Sequence, residues 1–222
     1  MFLSLLSNEF RFLFRKPENT FSVAFFSLVI VLLLSFVSPE LKDYGHSKAW
    51  GYVILVTLFG SLLRFYRTFE PEKEGALLTR LKMIPDLSLP LFFAKISANF
   101  LVIFFLEFFV MGATLFFLGV HEPVLFLYQS FIPLVLLAFG LAVLGTLCSV
   151  ILQERQKKDV LFPIIFYPLV IPLLMLALRS CGFDASGKIT GIDFSSFRLI
   201  LAFDGLYFLA SILVFEKLWR DA

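Results

Sequence analysis

Six long apolar segments constrain the fold of this 222-residue chain more than any other feature. Each is long enough to cross a hydrocarbon layer of about 30 Å, which needs about 20 helical residues. A soluble domain could not cover so much apolar surface, since 59% of the residues are hydrophobic and only 16% are charged. We therefore predict an all-α membrane protein with one transmembrane domain, residues 1–222. Its predicted spans are residues 20–37, 49–65, 96–120, 124–153, 160–178 and 199–215.

The positions of lysine and arginine predict the orientation of the spans, because cytoplasmic segments retain basic residues. The N-terminal tail, the second and fourth connections and the C-terminus hold 14 of the 19 basic residues, and the other three connections hold five. Both termini are therefore expected in the cytoplasm. Trp50 and Trp219 lie near span ends, where we expect their rings at the level of the lipid headgroups.

Residues 1–16 are predicted to form an amphipathic helix in the cytoplasmic interface of the membrane. Apolar residues recur there with helical spacing, and Pro17 ends the pattern. The alternative is a cytoplasmic extension of the first span, against which Pro17 argues. The apolar face consists of Phe2, Leu3, Leu6, Phe10, Leu13 and Phe14.

Residues 70–85, between the second and third spans, are predicted to form a second amphipathic helix. Its acidic residues come first and its basic residues follow, as the helix dipole favours. Its apolar face either packs against the membrane or the chain's own spans, or docks into a groove of a soluble partner as a coupling helix. That face consists of Leu77, Leu78, Leu81 and Ile84.

The fifth predicted span contains Pro163, Pro168 and Pro172. Each proline removes a backbone donor, which a membrane tolerates only beside other helices or a cavity. We predict that this helix is broken at the prolines and serves as a hinge.

Two acidic residues lie inside predicted spans, Glu107 in the third and Asp204 in the sixth. A charge in the hydrocarbon layer costs several kcal/mol, so each is expected to face the interior of the bundle, protonated or hydrogen-bonded. Their role is either polar packing or a direct part in a substrate path or conformational switch. The expected hydrogen-bond partners are Tyr128, Gln129, Asn99 and Tyr207.

The sequence contains no catalytic motif, so we predict that the chain is not an enzyme. It lacks a G-x-x-x-x-G-K-[ST] phosphate loop and the H-E-x-x-H, G-x-S-x-G and C-x-x-C patterns. His46 and His121 fall in predicted outer loops, where an imidazole could bind a metal or haem iron. Single exposed histidines are usually solvated, and we assign no metal ligand.

An R-x-F-x-x-E pattern begins the second connection, and leucines and a proline follow it. A lysine comes ten residues after the proline, an asparagine four residues later and a glutamate within the next span, so that the pattern covers about 40 residues. This spacing resembles the CcmB family, the haem exporter protein B permeases of cytochrome c maturation. These permeases are membrane subunits of the ABC-2 type. Leu13, Thr79 and Arg80 depart from the family pattern. The matching residues are Arg67, Phe69, Glu72, Leu78, Leu81, Pro85, Lys95, Asn99 and Glu107.

The resemblance implies a permease subunit, working as a homodimer in an ABC complex of the bacterial inner membrane. A CcmA-like ATPase would dock on residues 67–85 and supply the energy of ATP. CcmC- and CcmD-like membrane subunits would lie beside it, and a CcmE-like haem chaperone would be released outside, historically described as haem export. Haem would be a substrate of the complex rather than a cofactor of this chain, and nucleic acid is not an expected partner. Two alternatives remain: an ABC-2 permease that exports a lipid, glycan or drug, and a non-transport scaffold for membrane assembly.

Overall fold

The computed structural model describes residues 2–15, 17–37, 45–69, 87–120, 122–152, 158–182 and 193–221. Within these ranges there are seven helices and no β-strand, which confirms the predicted all-α class. The helices are α1 (Phe2–Arg15), α2 (Pro17–Val37), α3 (Gly45–Tyr66), α4 (Ser88–Leu118), α5 (Pro123–Ile151), α6 (Lys158–Ser180) and α7 (Phe194–Asp221).

Helices α2 to α7 are each long and apolar enough to cross a membrane, so the six predicted spans are confirmed. The largest difference is at α4, which was predicted to begin at residue 96 and begins at Ser88. In the sequence the charge of Lys95 interrupts the apolar run, but in the structure this side chain lies inside the helix bundle beside a carboxylate. Lys95 therefore belongs to a span and not to the connection before it.

Helix α7 also begins earlier than predicted, at Phe194 instead of residue 199. Asp193 caps its first turn: the Ser196 hydroxyl donates to one carboxylate oxygen at 2.6 Å, and the Ser195 backbone amide donates to the other at 3.0 Å. These two hydrogen bonds lower the pKa of the Asp193 carboxyl. The cap allows the helix to begin among the polar residues before position 199, which were left out of the predicted span because they are not apolar.

Helix α5 forms the centre of the bundle and packs against α3, α4, α6 and α7. Every residue from 140 to 150 in this helix is buried. Small residues such as Gly140, Ala142 and Gly145 allow neighbouring helices to come close, which is how membrane helices gain contact area. A methyl group added at Gly145 would overlap the ring of Phe65 on α3.

Helix α2 lies at the edge of the bundle, where it packs against α3 and α4. Its outer face is apolar and exposed, with exposed fractions of 72% for Phe21, 68% for Phe25 and 80% for Phe36. Apolar surface of this extent suits contact with lipid.

Helix α1 packs mainly against α4. It ends at Arg15 and α2 begins at Pro17, so the predicted end of the N-terminal helix is confirmed. Its placement in the membrane interface stays a prediction.

Trp50 lies near the start of α3, as predicted, and faces the interior of the bundle. The residue is 1% exposed and its indole nitrogen donates a 2.9 Å hydrogen bond to the carbonyl oxygen of Ala177 on α6. The level of its ring relative to the lipid headgroups stays a prediction. Cys148 and Cys181 are both buried free thiols.

The predicted break in the fifth span is also wrong, because α6 is helical throughout despite Pro163, Pro168 and Pro172. Neighbouring helices can compensate for the backbone bonds that a proline disturbs. Tyr207 of α7 makes one such contact with this helix, since its hydroxyl donates to the Leu169 carbonyl oxygen at 2.9 Å. A hinge at these prolines stays a prediction.

Candidate functional site

A buried polar cluster lies at the end of the bundle where α1 packs, and Lys95 of α4 is at its centre. The Lys95 side chain is 1% exposed, and its ammonium nitrogen lies 2.8 Å from Oε1 of Glu9 on α1. The same nitrogen donates a 2.9 Å hydrogen bond to the Thr68 carbonyl oxygen and lies 5.2 Å from the centroid of the Phe69 ring. A buried ammonium is tolerated only when it is paired and hydrogen-bonded, and these contacts meet that requirement.

Asn99, one turn further along α4, extends the cluster to α5. Its amide nitrogen donates to Thr146 Oγ1 at 2.9 Å and approaches Thr68 Oγ1 at 3.4 Å. The Thr146 hydroxyl donates in turn to the Ala142 carbonyl oxygen at 2.6 Å. The asparagine thus joins the end of α3 to the middle of the bundle.

Ser149 makes a second connection between α5 and the end of α3. Its hydroxyl lies 2.9 Å from the Phe65 carbonyl oxygen and 2.7 Å from that of Gly145, and its single proton is within hydrogen-bond distance of both acceptors. The Phe65 ring packs onto Gly145 and lies 5.6 Å from the Phe166 ring of α6. We call the whole set the Lys95 cluster: Glu9, Thr68, Phe69, Lys95, Asn99, Thr146 and Ser149.

An apolar layer surrounds the Lys95 cluster and connects it to α7. Phe69 is fully buried there, and the ring of Phe92 on α4 lies 4.5 Å from that of Phe215 on α7. The end of α3 is therefore joined to α4 and α5 by polar contacts and to α6 by aromatic contacts, and α4 in turn contacts α1 through Lys95 and α7 through Phe92. The members of the layer are Phe69, Leu91, Phe92, Ile96, Val143, Val150 and Phe215.

Glu107 and Asp204 are buried, as predicted, with 1% and 3% of their surfaces exposed. Their carboxylate oxygens have no hydrogen-bond partner among the residues that the structure describes, so the expected partners are wrong. Asp204 instead packs onto Gly140, where an added methyl group would overlap the carboxylate. Of the expected partners, Tyr128 is 74% exposed, Asn99 bonds to Thr146, and Tyr207 donates to Leu169.

Within the described ranges, no group of three or more histidine, cysteine, aspartate or glutamate side chains is arranged to hold a metal ion. His46 does not lie in an outer loop as expected. It lies at the start of α3, is 7% exposed, and its ring centroid is 5.9 Å from that of Phe126 on α5. His121 lies outside the described residues.

The family model described as CcmB protein matches residues 1–207 of the chain. The chain belongs to the CcmB family. It is also 28% identical to heme exporter protein B of Pseudomonas aeruginosa over 195 residues, which are 85% of this chain and 86% of that protein.

Four of the nine residues that suggested the CcmB family at the level of sequence fall in or beside the Lys95 cluster. Lys95, Asn99 and Phe69 belong to it, and Arg67 lies half-buried in the turn just before Phe69. Because Phe69 is fully buried beneath Lys95, its side chain is not available to touch a partner directly. A docking role for Arg67 stays a prediction. Four further predicted docking residues lie outside the described residues: Glu72, Leu78, Leu81 and Pro85.

Sequence reasoning missed four members of the Lys95 cluster in this CcmB-family chain: Glu9, Thr68, Thr146 and Ser149. The sequence did contain a signal for Glu9, because a lysine within an apolar run can be buried only when an acidic side chain pairs with it. Glu9 was the acid of the amphipathic N-terminal helix. Thr146 and Ser149 follow each other at helical spacing in an otherwise apolar span, but such residues commonly bond only to their own backbone.

Proposed function

We propose that this chain is the membrane permease subunit of an ABC complex for cytochrome c biogenesis. In that complex, ATP hydrolysis by a CcmA-like partner drives haem export or the release of the haem-loaded chaperone. The observation that carries the proposal is the CcmB family match over residues 1–207, together with the relative named heme exporter protein B. As a permease subunit the chain is not itself an enzyme, and the ATPase activity resides in the partner.

The Lys95 cluster supplies the physical route for coupling. The connection of residues 70–86 begins directly after Phe69. Helix α4 begins at Ser88, about two turns before Lys95. Both flanks of the connection are therefore joined to α4 and α5 through buried contacts. Because packed interiors shift as units rather than deforming continuously, a displacement of this connection by a docked ATPase would move the membrane helices.

The orientation and the other partners belong to the same proposal. Fourteen of the 19 basic residues belong to the N-terminal tail, the second and fourth connections and the C-terminus, which supports a cytoplasmic location for both termini and for residues 70–86 in a bacterial inner membrane. CcmC- and CcmD-like subunits would lie beside this chain, which would act as a homodimer. A CcmE-like chaperone would be released on the other side.

Haem is a substrate of the complex in this proposal and not a resident cofactor of the chain. His46 supports this reading, because its imidazole packs inside the bundle against Phe126 rather than standing at an outer surface. The apolar contacts around it serve packing between α3 and α5.

The proposal is tested by purifying the tagged full-length chain from its native membrane and asking whether an ATPase subunit accompanies it. We expect co-purification with the wild type and its loss when Leu78 and Leu81 are both changed to Asp, because charges replace the apolar face of the coupling segment. The matched control is Ile189→Asp with Ile192→Asp, in the connection between α6 and α7, which the distribution of basic residues predicts to lie outside the cytoplasm.

Each outcome is informative. If the wild type carries no ATPase subunit, the permease proposal fails. If the Leu78→Asp, Leu81→Asp variant retains the ATPase at the wild-type level, the docking role of residues 70–85 fails while the permease assignment stands.

A further inference from the structure

The last turn of α3 and the first half of α6 are joined by four aromatic side chains. The Phe65 ring stacks on that of Phe162 with centroids 6.2 Å apart and lies 5.6 Å from that of Phe166. The Tyr66 ring lies 5.1 Å from that of Phe162, and the rings of Phe162 and Phe166 lie 5.4 Å apart. Phe65, Phe162 and Phe166 are fully buried. Aromatic pairs at these distances attract each other beyond the effect of buried area, so they hold the two helices together.

Phe65 is also in contact with α5. The far edge of its ring reaches Gly145, where an added methyl group would overlap it, and its carbonyl oxygen lies 2.9 Å from the Ser149 hydroxyl. The ring therefore packs between α5 and α6. Because protein interiors are close-packed, a displacement of the end of α3 must either move α6 or open a gap between the rings.

A second contact joins α3 and α6 near their opposite ends. The Trp50 indole nitrogen donates a 2.9 Å hydrogen bond to the Ala177 carbonyl oxygen, and both residues are buried. Trp50 lies 15 residues before Phe65, and Ala177 lies 15 residues after Phe162. At 1.5 Å per residue, the two contacts are about 22 Å apart along either helix. The two antiparallel helices are therefore held to each other at two points with the same spacing.

Between these two contacts the helices differ in how easily they bend. Helix α6 contains Pro163, Pro168 and Pro172 there, whereas α3 contains no proline. Each proline removes a hydrogen bond from the helix backbone and favours a bend at that turn. When the joined ends are displaced relative to the opposite ends, α6 is therefore the helix that bends.

From the aromatic contacts, the burial of Phe65 and the second contact at Trp50, we propose that Phe65 is a positioning residue that transmits movement of the end of α3 to α6. The inference rests on the proposed function, because the movement begins when the ATPase docks on residues 70–86, the connection that follows α3. The first half of α6 then moves with α3, while Trp50 holds the far end. Helix α6 bends between Pro168 and Pro172.

The test measures the position of α6 relative to α7 with pairs of spin labels, in a full-length chain with Cys148→Ala and Cys181→Ala. Electron paramagnetic resonance gives the distance between the two labels of a pair. One pair lies on the Phe162 side of the hydrogen bond between α6 and α7, and the other lies on the Ala177 side. All four labelled side chains are exposed, so the labels do not enter the bundle. The labelled pairs are Val160→Cys with Leu213→Cys, called the first pair, and Met175→Cys with Leu201→Cys, called the second pair.

The first arm of the test uses the chain without partners, so it does not depend on the ATPase. Gly145→Ala pushes the Phe65 ring and should change the mean distance of the first pair by about 1–2 Å, the size of helix shifts in protein switches. The second pair should not change. With Phe65→Leu, the change at Gly145 should have no effect on either pair, because leucine lacks the far edge of the ring.

Two results of the first arm would overturn the proposal. One is an unchanged distance of the first pair in a folded Gly145→Ala chain, because the ring would then move without moving α6. The other is an equal effect of Gly145→Ala with phenylalanine and with leucine at position 65, because Phe65 would then not be the connection.

The second arm uses the complex with its ATPase, with and without ATP and vanadate. We expect the nucleotide to change the distance of the first pair and to leave the second pair unchanged. Phe65→Leu should keep the ATPase bound and hydrolysing ATP but remove this change, whereas loss of folding would reduce both. Phe100→Leu is the matched control, because the Phe100 ring packs between α4 and α5, 6.3 Å from that of Phe139.

The two arms separate the inference from the proposed function. If the wild-type complex contains no ATPase, the proposed function fails, and the first arm still decides whether Phe65 connects α3 to α6. If the complex contains the ATPase and Phe65→Leu retains the nucleotide-dependent change, the inference alone is overturned.

Discussion

The ammonium group of Lys95 lies 2.8 Å from the carboxylate of Glu9, and the pair joins the N-terminal helix to the start of α4 inside the protein. The two side chains are 1% and 12% exposed, so water screens their interaction little. The pair also flanks the connection at which we propose that an ATPase docks. It is therefore both a packing contact and a part of the coupling route.

We expect Lys95→Met to destabilise the chain by about 3–5 kcal/mol, because removing one partner leaves the other charge buried and unpaired. The double variant Glu9→Gln, Lys95→Met should recover most of this loss, since neither charge remains. Thermal unfolding of the purified chain in detergent, followed through the fluorescence of buried Trp50, measures the effect. Lys217→Met is the exposed control, and equal stability of the two lysine variants would contradict the role of the pair.

Thr146→Val should cost about 1–3 kcal/mol, because the buried Asn99 amide loses its 2.9 Å acceptor on α5. Thr114→Val on α4 is a matched control, since this buried hydroxyl donates only to the Val110 carbonyl oxygen of its own helix, at 2.8 Å. The same unfolding measurement compares the two. A larger loss for Thr114→Val would mean that the bond between α4 and α5 contributes little.

Gly145→Ala should destabilise the bundle by about 1–3 kcal/mol, because the new methyl group would overlap the Phe65 ring and push the end of α3 away from α5. Gly112→Ala should be neutral or stabilise by up to about 1 kcal/mol, because nothing lies within 4 Å of the added methyl group and alanine favours helix. If Gly145→Ala and Gly112→Ala unfold at the same temperature, the Phe65 ring moves aside without cost and the expected overlap does not destabilise the bundle.

Glu107→Gln is expected to preserve folding and assembly but to lower the yield of c-type cytochromes. Glutamine has nearly the same shape and removes a carboxylate that has no hydrogen-bond partner among the described residues. The measurements are the amount of chain in the membrane, the co-purified ATPase and the haem-stained cytochromes. Ser211→Ala, which removes another buried group of this kind, is the control. Wild-type cytochrome levels in Glu107→Gln would leave Glu107 a packing residue only.

The spans could be predicted from the sequence because lipid imposes a local requirement. Each helix must pair its own backbone and remain apolar for about 20 residues, and both conditions are visible within one segment. For the same reason Pro17 correctly predicted the end of α1, since proline acts on the turn that contains it. The burial of Glu107 and Asp204 followed from the cost of an exposed charge in lipid.

Contacts between helices decided the rest. The sequence indicated a loop at Lys95 and a break at the prolines of α6, and both were wrong. Lys95 lies within α4 because Glu9 of α1 pairs with it, and the Trp50 indole faces inward because the Ala177 carbonyl accepts its hydrogen bond.

Hydropathy and proline position by themselves determined six apolar spans and the end of the N-terminal helix among the residues that the structure describes. Only the tertiary structure decided where its polar groups lie, because burial of a charge or donor depends on a partner that can come from any part of the chain. The Lys95 cluster takes its members from α1, the end of α3, α4 and α5, and no single segment of sequence carries that information.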